Sequence, residues 1–172
     1  MRHLTPADYR TMPWANGRGQ TVEMLRVDGS DGLLWRLSMA SVVEDGPFSI
    51  FPGIERNLTV ISGPGFDLVG TVSLRCERLV PVAFAGDVPI AAANVVGACD
   101  DFNVMTARAL PRPIVQVLNG EVRLAQNGTL ALFILGRAVV NGKPMGRHDL
   151  VLSNKAVDLT AVDPVIAVSL FR

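Results

Sequence analysis

Histidine is nearly missing from this chain: His3 and His148 are the only two in 172 residues, and they lie far apart. A metal centre built on imidazole needs three or so nitrogen and carboxylate ligands on neighbouring strands. No His-x-His pair and no ligand cluster occurs, so neither a metal nor another cofactor is expected. His148 reads as a loop residue ahead of a strand beginning at Leu150. Cysteine is equally scarce. Cys76 and Cys99 lack the spacing of a zinc or redox motif and read as two buried thiols. With so few bases, no Ser-His-Asp or Cys-His arrangement can be drawn. No run of basic residues appears, and 16 basic side chains balance 16 acidic ones. Nucleic acid binding, which needs concentrated positive charge, is therefore not expected. No apolar stretch reaches the ~18 residues of a membrane span; residues 88–96 are short and include Asn94. The N-terminal Met1-Arg2-His3-Leu4-Thr5-Pro6 has charge without a following apolar run, which predicts a cytoplasmic protein with no signal peptide and no membrane partner.

What is present is apolar and punctuated. Hydrophobic residues make up 49% and charged residues 19%, the balance of a folded domain large enough for one core or two small fused halves. Short runs rich in valine, isoleucine and phenylalanine alternate with glycine, proline and asparagine, the rhythm of many short strands. Residues 58–70 read LTVISGPGFDLVG and residues 130–142 read LALFILGRAVVNG, each a strand, a glycine turn and a second strand. Further on, 84–90 and 145–152 each place a turn and an aspartate before an apolar strand. The repetition predicts an all-β fold of two stacked β-barrel or jelly-roll halves packed as one compact unit. The halves are residues 1–109 and 114–172, and Leu110-Pro111-Arg112-Pro113 is the connector, since two prolines interrupt pairing there. Helix is confined to a turn or so, with Thr5 as cap and Pro6 at its first position.

Trp35-Arg36-Leu37-Ser38-Met39-Ala40 has the two-residue period of a strand. Trp35, Leu37 and Met39 share the apolar face; Arg36, Ser38 and Ala40 share the other. That second face is either solvated or turned into a lumen, where a guanidinium would receive a carboxylate through its planar fork. In Asp45-Gly46-Pro47-Phe48-Ser49 and Phe51-Pro52-Gly53-Ile54-Glu55-Arg56 the Asp-Gly and Pro-Gly pairs form turns, and Phe48 and Phe51 anchor the loop on the core. Arg56 opens the next strand as a second cation near Arg36, or as a salt-bridged rim residue. Asp101, Asn103 and Met105 fall on one face of Asp101-Phe102-Asn103-Val104-Met105-Thr106, opposite Phe102 and Val104, in a pocket wall or an edge strand. Asn16-Gly17 signals a tight turn, Arg18 brings a third cation toward a pocket mouth, and Trp14 reads as a core plug before a ligand platform.

Taken together with Pro13-Trp14-Ala15-Asn16-Gly17-Arg18-Gly19-Gln20-Thr21, these motifs resemble the HutD/Ves family of cupin-like proteins. The likeness runs by motif from Pro13 to Arg108 and by pattern alone over residues 130–172. Two departures stand out: Gly17-Arg18-Gly19 where the family shows three glycines, and Ala107-Arg108 where it shows two arginines. The resemblance implies a bicupin fold and a regulatory or sensing role in histidine utilisation or stress. It further implies a small carboxylate ligand such as urocanate, formylglutamate or formiminoglutamate, and it turns the Arg36 face toward the lumen. The expected ligand-binding residues are Arg36, Ser38, Arg56, Asp101 and Asn103, with Phe48, Phe84 and Met105 as apolar walls and Asn16 and Arg18 at the mouth. No enzymatic activity is implied. The alternatives are a metal-independent isomerase or acid–base enzyme using Asp101 and Arg36, and a structural or interaction protein forming a homodimer.

Overall fold

The computed structural model describes residues 1–14 and 19–172. Strands dominate, and helix among the described residues is limited to one 3-10 turn, Pro6–Asp8. Proline sits at its start and Thr5 precedes it in extended conformation. The Asp8 carboxylate closes the turn by accepting from the Thr5 N–H at 2.8 Å and from its hydroxyl at 2.9 Å. Those bonds favour the ionised form and hold its pKa below the ordinary carboxylate range. Among the described residues no helix is long and apolar enough to cross a membrane.

The chain divides into two compact units, Arg10–Leu110 and Met1–Tyr9 with Pro111–Arg172. The division falls within the proline-containing connector. The first nine residues lie with the C-terminal unit, because β1 (Arg2–Leu4) pairs far along the chain, placing His3 opposite Val151.

The unit Arg10–Leu110 holds β2 (Arg10–Pro13), β3 (Gln20–Gly29), β4 (Gly32–Val42), β5 (Gly46–Pro47), β6 (Ile54–Ser62), β7 (Phe66–Gly70), β8 (Leu74–Cys76), β9 (Val82–Ala85), β10 (Ile90–Ala93) and β11 (Cys99–Ala107). Among the described residues they make a six-stranded sheet, β2-β3-β4-β11-β6-β9, and a four-stranded one, β5-β10-β7-β8. The two sheets meet on a shared apolar cluster. Leu58 and Val60 come from the first; Phe66, Leu68, Ile90 and Ala92 come from the second. The 58–70 stretch, which reads as a hairpin, is a corner instead. Strand β6 pairs with β11 and β9, whereas β7 pairs with β10 and β8. Gly63 and Gly65 make the corner at φ of 90° and 83°. A Cβ on either would run into a backbone carbonyl, that of Ala98 or of Cys76.

The other unit adds β12 (Ile114–Leu124), β13 (Thr129–Ile134), β14 (Ala138–Val140), β15 (Lys143–Met145), β16 (Leu150–Ser153) and β17 (Val157–Leu170) to β1. Its long β17 is the spine, pairing β12 along one edge and β13 then β14 along the other. Here too the apparent 130–142 hairpin is two strands laid along a third. Its core is an apolar cluster, with Leu130, Leu132 and Ile134 packed together with Leu159 and Val165. The N-terminal segment is fastened by the His3–Asp149 pair at 2.8 Å and by the Tyr9 hydroxyl donating to the His148 carbonyl at 2.6 Å. His148 lies in the turn before β16, at φ 65°.

Candidate functional site

Strand β11 is central in its sheet, and its register fixes which side chains share a face. Met105 lies opposite Arg36 on β4 and Arg56 on β6; Asn103 lies opposite Ser38 and Leu58; Asp101 lies opposite Ala40 and Val60. Because side chains alternate along a strand, Arg36, Met105 and Arg56 form one row, and Ser38 with Asn103 forms the next. Leu37, Phe102 and Val104, wholly buried, occupy the reverse face. The two-residue period at 35–40 and 101–106 thus sorts polar from apolar as the sequence predicts.

The polar rows line a cavity of about 390 Å³ within the Arg10–Leu110 unit. Arg36, Ser38, Arg56, Asp101, Asn103 and Met105 line it from β4, β6 and β11, and Pro47, Phe48, Ser49 and Phe51 line it from β5 and the segment that follows. Of the predicted residues, Arg36, Ser38, Phe48, Arg56, Asp101, Asn103 and Met105 all reach it. Phe84, expected as an apolar wall, does not line the cavity; it packs behind Arg56, its register partner. Asn16 and Arg18 lie outside the described residues. Trp14, expected as a core plug, is half-buried on the cavity wall and donates its indole N–H to Thr21 Oγ1 at 3.0 Å. A smaller cavity of about 190 Å³ adjoins, sharing Trp14, Val42, Pro47 and Phe48.

Arg56 is the least ordinary group here. It is 7% exposed, and the rings of Phe48, Phe51 and Phe84 surround its guanidinium carbon at 5.2, 5.4 and 5.1 Å. Ring faces supply part of the electrostatic stabilisation that water would otherwise give a cation. One terminal nitrogen donates to Asn103 Oδ1 at 2.8 Å, while its Nε finds no hydrogen-bond partner among the described residues. Burial lowers its pKa to about 10, with Asp101 opposing and the nearby Arg36 adding to the fall. The guanidinium therefore stays charged at neutral pH.

Asn103 passes the polarity on, its amide donating to Asp101 Oδ1. Asp101 is 1% exposed. Burial raises its pKa to about 7; Arg56 and Asn103 pull it down, and Asp100 pushes it up. Desolvation outweighs the neighbouring cation, so this carboxyl holds or releases a proton near neutrality.

Arg36 carries a partner that the motif did not reveal. Its Nε donates to Glu23 Oε2 at 2.7 Å, each side chain being only 12% exposed. Glu23 reaches the site because β3 pairs it with Ser38, just before a bulge between Glu23 and Leu25. The second arginine of the familiar pair, Arg108, stays outside the cavity. It clamps Asp87 at 2.7 and 2.8 Å and Glu55 at 2.5 Å, tying the start of β6 to the loop after β9.

Cupin barrels commonly seat a metal, but the donors here do not fit one. Two guanidiniums face the cavity, the carboxylate among its described lining residues is committed to Asn103, and both histidines belong to the other unit. Among the described residues no three His, Cys, Asp or Glu side chains cluster as ligands. Neither cysteine is reactive by environment: both are fully buried, and burial pushes the Cys76 thiol up to about 12.

Comparison with known proteins gives this geometry a lineage. The chain is 35% identical over 149 residues to an uncharacterized 21.2 kDa protein in the hutC 3′ region of Pseudomonas putida, covering 84% of this chain and 78% of that one. It is 35% identical over 116 residues to protein Ves of Cronobacter sakazakii, with 64% of each chain covered. The solved structure of HutD from Pseudomonas fluorescens SBW25 superposes with a TM-score of 0.89 at 30% identity, covering 99% of this chain and 98% of that one. A cupin barrel domain protein from Leptotrichia buccalis shares the fold at 9% identity and a TM-score of 0.53, with 87% and 88% covered. The HutD family model matches residues 6–166, and with its cupin-like architecture the chain belongs to the HutD family.

Proposed function

We propose that this protein binds a small carboxylate in the Arg10–Leu110 unit without a metal, acting in the cytoplasm as a regulator or sensor linked to histidine utilisation. The observation that carries the reading is the pair Arg36 and Arg56 lining one cavity, close enough that Arg36 disfavours the charge on Arg56. Like charges held in a partly desolvated site are relieved by an anion between them. Ser38 adds a hydroxyl, and Phe48, Phe51 and Met105 give an apolar surface for the body of a small ligand. The relative in the hutC 3′ region suggests the chemical neighbourhood. Urocanate, formylglutamate and formiminoglutamate are the candidates. Calorimetry with these compounds tests the reading: heat and a raised melting temperature with one of them, lost in Arg36→Ala, support it. Silence from all of them removes it.

A second reading, acid–base catalysis on such a carboxylate, draws on Asp101. A group with a pKa of about 7 offers both protonation states at neutral pH. Turnover of a candidate ligand that disappears in Asp101→Asn would promote it. Homodimer formation, the remaining expectation, is checked by light scattering across concentration.

A further inference from the structure

The pocket wall has a charge balance that depends on a single buried proton. Glu23 offsets Arg36 at 2.7 Å, and an ionised Asp101 offsets Arg56 through Asn103. With Asp101 ionised, the described lining groups and Glu23 sum to no net charge; with Asp101 protonated, one positive charge remains. An anion entering beside an ionised Asp101 would put two carboxylates into one desolvated site. Two such groups cannot both stay ionised without cost, and one of them takes up a proton.

We infer that the pocket takes up its carboxylate ligand together with one proton held on Asp101, so that affinity falls as pH rises through neutrality. This rests on the reading of the cavity as a carboxylate site. Asp101 is the member that takes the proton because at 1% exposed its charge has almost no solvent to stabilise it, a cost that outweighs the pull of Arg56 and the Asn103 amide toward the ionised form. Its other neighbours do not compete for that role. From β6, Arg56 faces it as a permanent cation. From β4 and β3, Arg36 and Glu23 are paired with each other. From β8, Cys76 stays neutral, since burial pushes its thiol up to about 12. Along β11, Asp100 is exposed and accepts from the Ser41 and Ser62 hydroxyls at 2.6 and 2.9 Å. Asp101 itself titrates near neutrality in the free protein, burial being the cause. The proton comes from solvent and no bond to the ligand is made or broken.

The test is calorimetry with formylglutamate, which has no group titrating between pH 6 and pH 9, in buffers of contrasting ionisation enthalpy. Affinity should be about tenfold weaker at pH 8 than at pH 6, with about one proton taken up per site at pH 8 and almost none at pH 6. Asp101→Asn should bind without that pH dependence and without proton uptake. Binding by the wild-type protein with equal affinity at both pH values and no proton uptake overturns the inference while leaving the carboxylate site standing. So does Asp101→Asn if it keeps the wild-type pH profile. No heat at either pH with formylglutamate, nor with urocanate or formiminoglutamate in its place, overturns the inference together with the reading it rests on. Proton uptake is measured on the wild-type protein alone, so the result stands even where the variant fails to fold.

Discussion

Replacing Asp101 by asparagine should alter the stability of the empty protein in a way that depends on pH and has a fixed sign. The side chain keeps its shape, and asparagine can still accept from Asn103 through its own carbonyl. What changes is the titration. In the folded protein the Asp101 pKa stands at about 7 against 3.8 for an ordinary aspartate. At about 1.4 kcal/mol for each tenfold difference in proton affinity, that corresponds to about 4 kcal/mol. Below 3.8 both folded and unfolded chains hold the proton and the group contributes nothing. Between 3.8 and about 7 the unfolded chain has released its proton while the folded one keeps it, so rising pH favours unfolding. Above about 7 the full penalty of a buried carboxylate is in place. Urea unfolding of the wild-type protein and Asp101→Asn at intervals from pH 4 to pH 8 measures the difference. Wild type should lose about 4 kcal/mol relative to the variant across that range. A difference that stays constant within ~1 kcal/mol, or moves the other way, would refute the claim that burial outweighs Arg56 at this site.

Glu23→Gln should destabilise the protein by about 1–2 kcal/mol in the same urea assay, since Arg36 trades a charged acceptor for a neutral one in a site 12% exposed; an unchanged midpoint would mean the pair contributes nothing. Arg108→Ala should return the Asp87 pKa from about 2 toward 3.8, because the guanidinium bond is the main cause of its depression. Carboxyl NMR titration reads this directly. The sign is opposite to that of Asp101: a lowered pKa stabilises above 3.8 and that contribution disappears as pH falls toward 2, so the variant should be less sensitive to acid there. Tyr9→Phe should cost about 1 kcal/mol by leaving the His148 carbonyl without its 2.6 Å donor, and faster hydrogen exchange across residues 2–4 would show the N-terminal strand loosening from β16.

The site was legible in the sequence to the extent that its geometry is local. Alternation along 35–40 and 101–106 assigns Arg36, Ser38, Asp101, Asn103 and Met105 to their faces before any pairing is known, because a strand leaves a side chain only two directions. Glu23 was not legible, since its approach to Arg36 depends on β3 pairing with β4 in one register and on a bulge that no local pattern announces. Phe84 was misjudged for a related reason: its apolar character says that it is buried, but only the β6–β9 register says that it lies against Arg56 rather than in the cavity. The corner at Gly63 and Gly65 has the composition of a hairpin turn. Its role as a crossing between sheets is decided by distant pairing, β6 with β11 and β9 and β7 with β10 and β8. Likewise β1 finds its place opposite residues 150–152, a separation at which short-range propensity carries no information.

The two units differ in what their inward positions carry. In the second, the inward positions of β13 are Leu130, Leu132 and Ile134, and those of β17 include Val157, Leu159 and Val165, so the interior packs on itself as a plain apolar core. In the first, the apolar half of the interior is built alike, from Leu58, Val60, Phe66 and Leu68. The inward positions of β4 and of β11 are instead Arg36, Ser38, Asp101 and Asn103, and β6 contributes Arg56 one row before its leucine. Such groups cannot collapse onto one another as leucines do, because each must keep a hydrogen-bond partner or an opposite charge. The network Arg56 to Asn103 to Asp101 meets most of that demand, and Glu23 meets it for Arg36. The space that polar groups hold open and apolar groups would have closed is the cavity of about 390 Å³. A triple replacement, Arg36→Leu with Asp101→Leu and Asn103→Leu, should therefore shrink or fill it and abolish formylglutamate binding, whereas leucines at the matching inward positions of the second unit are already the native state.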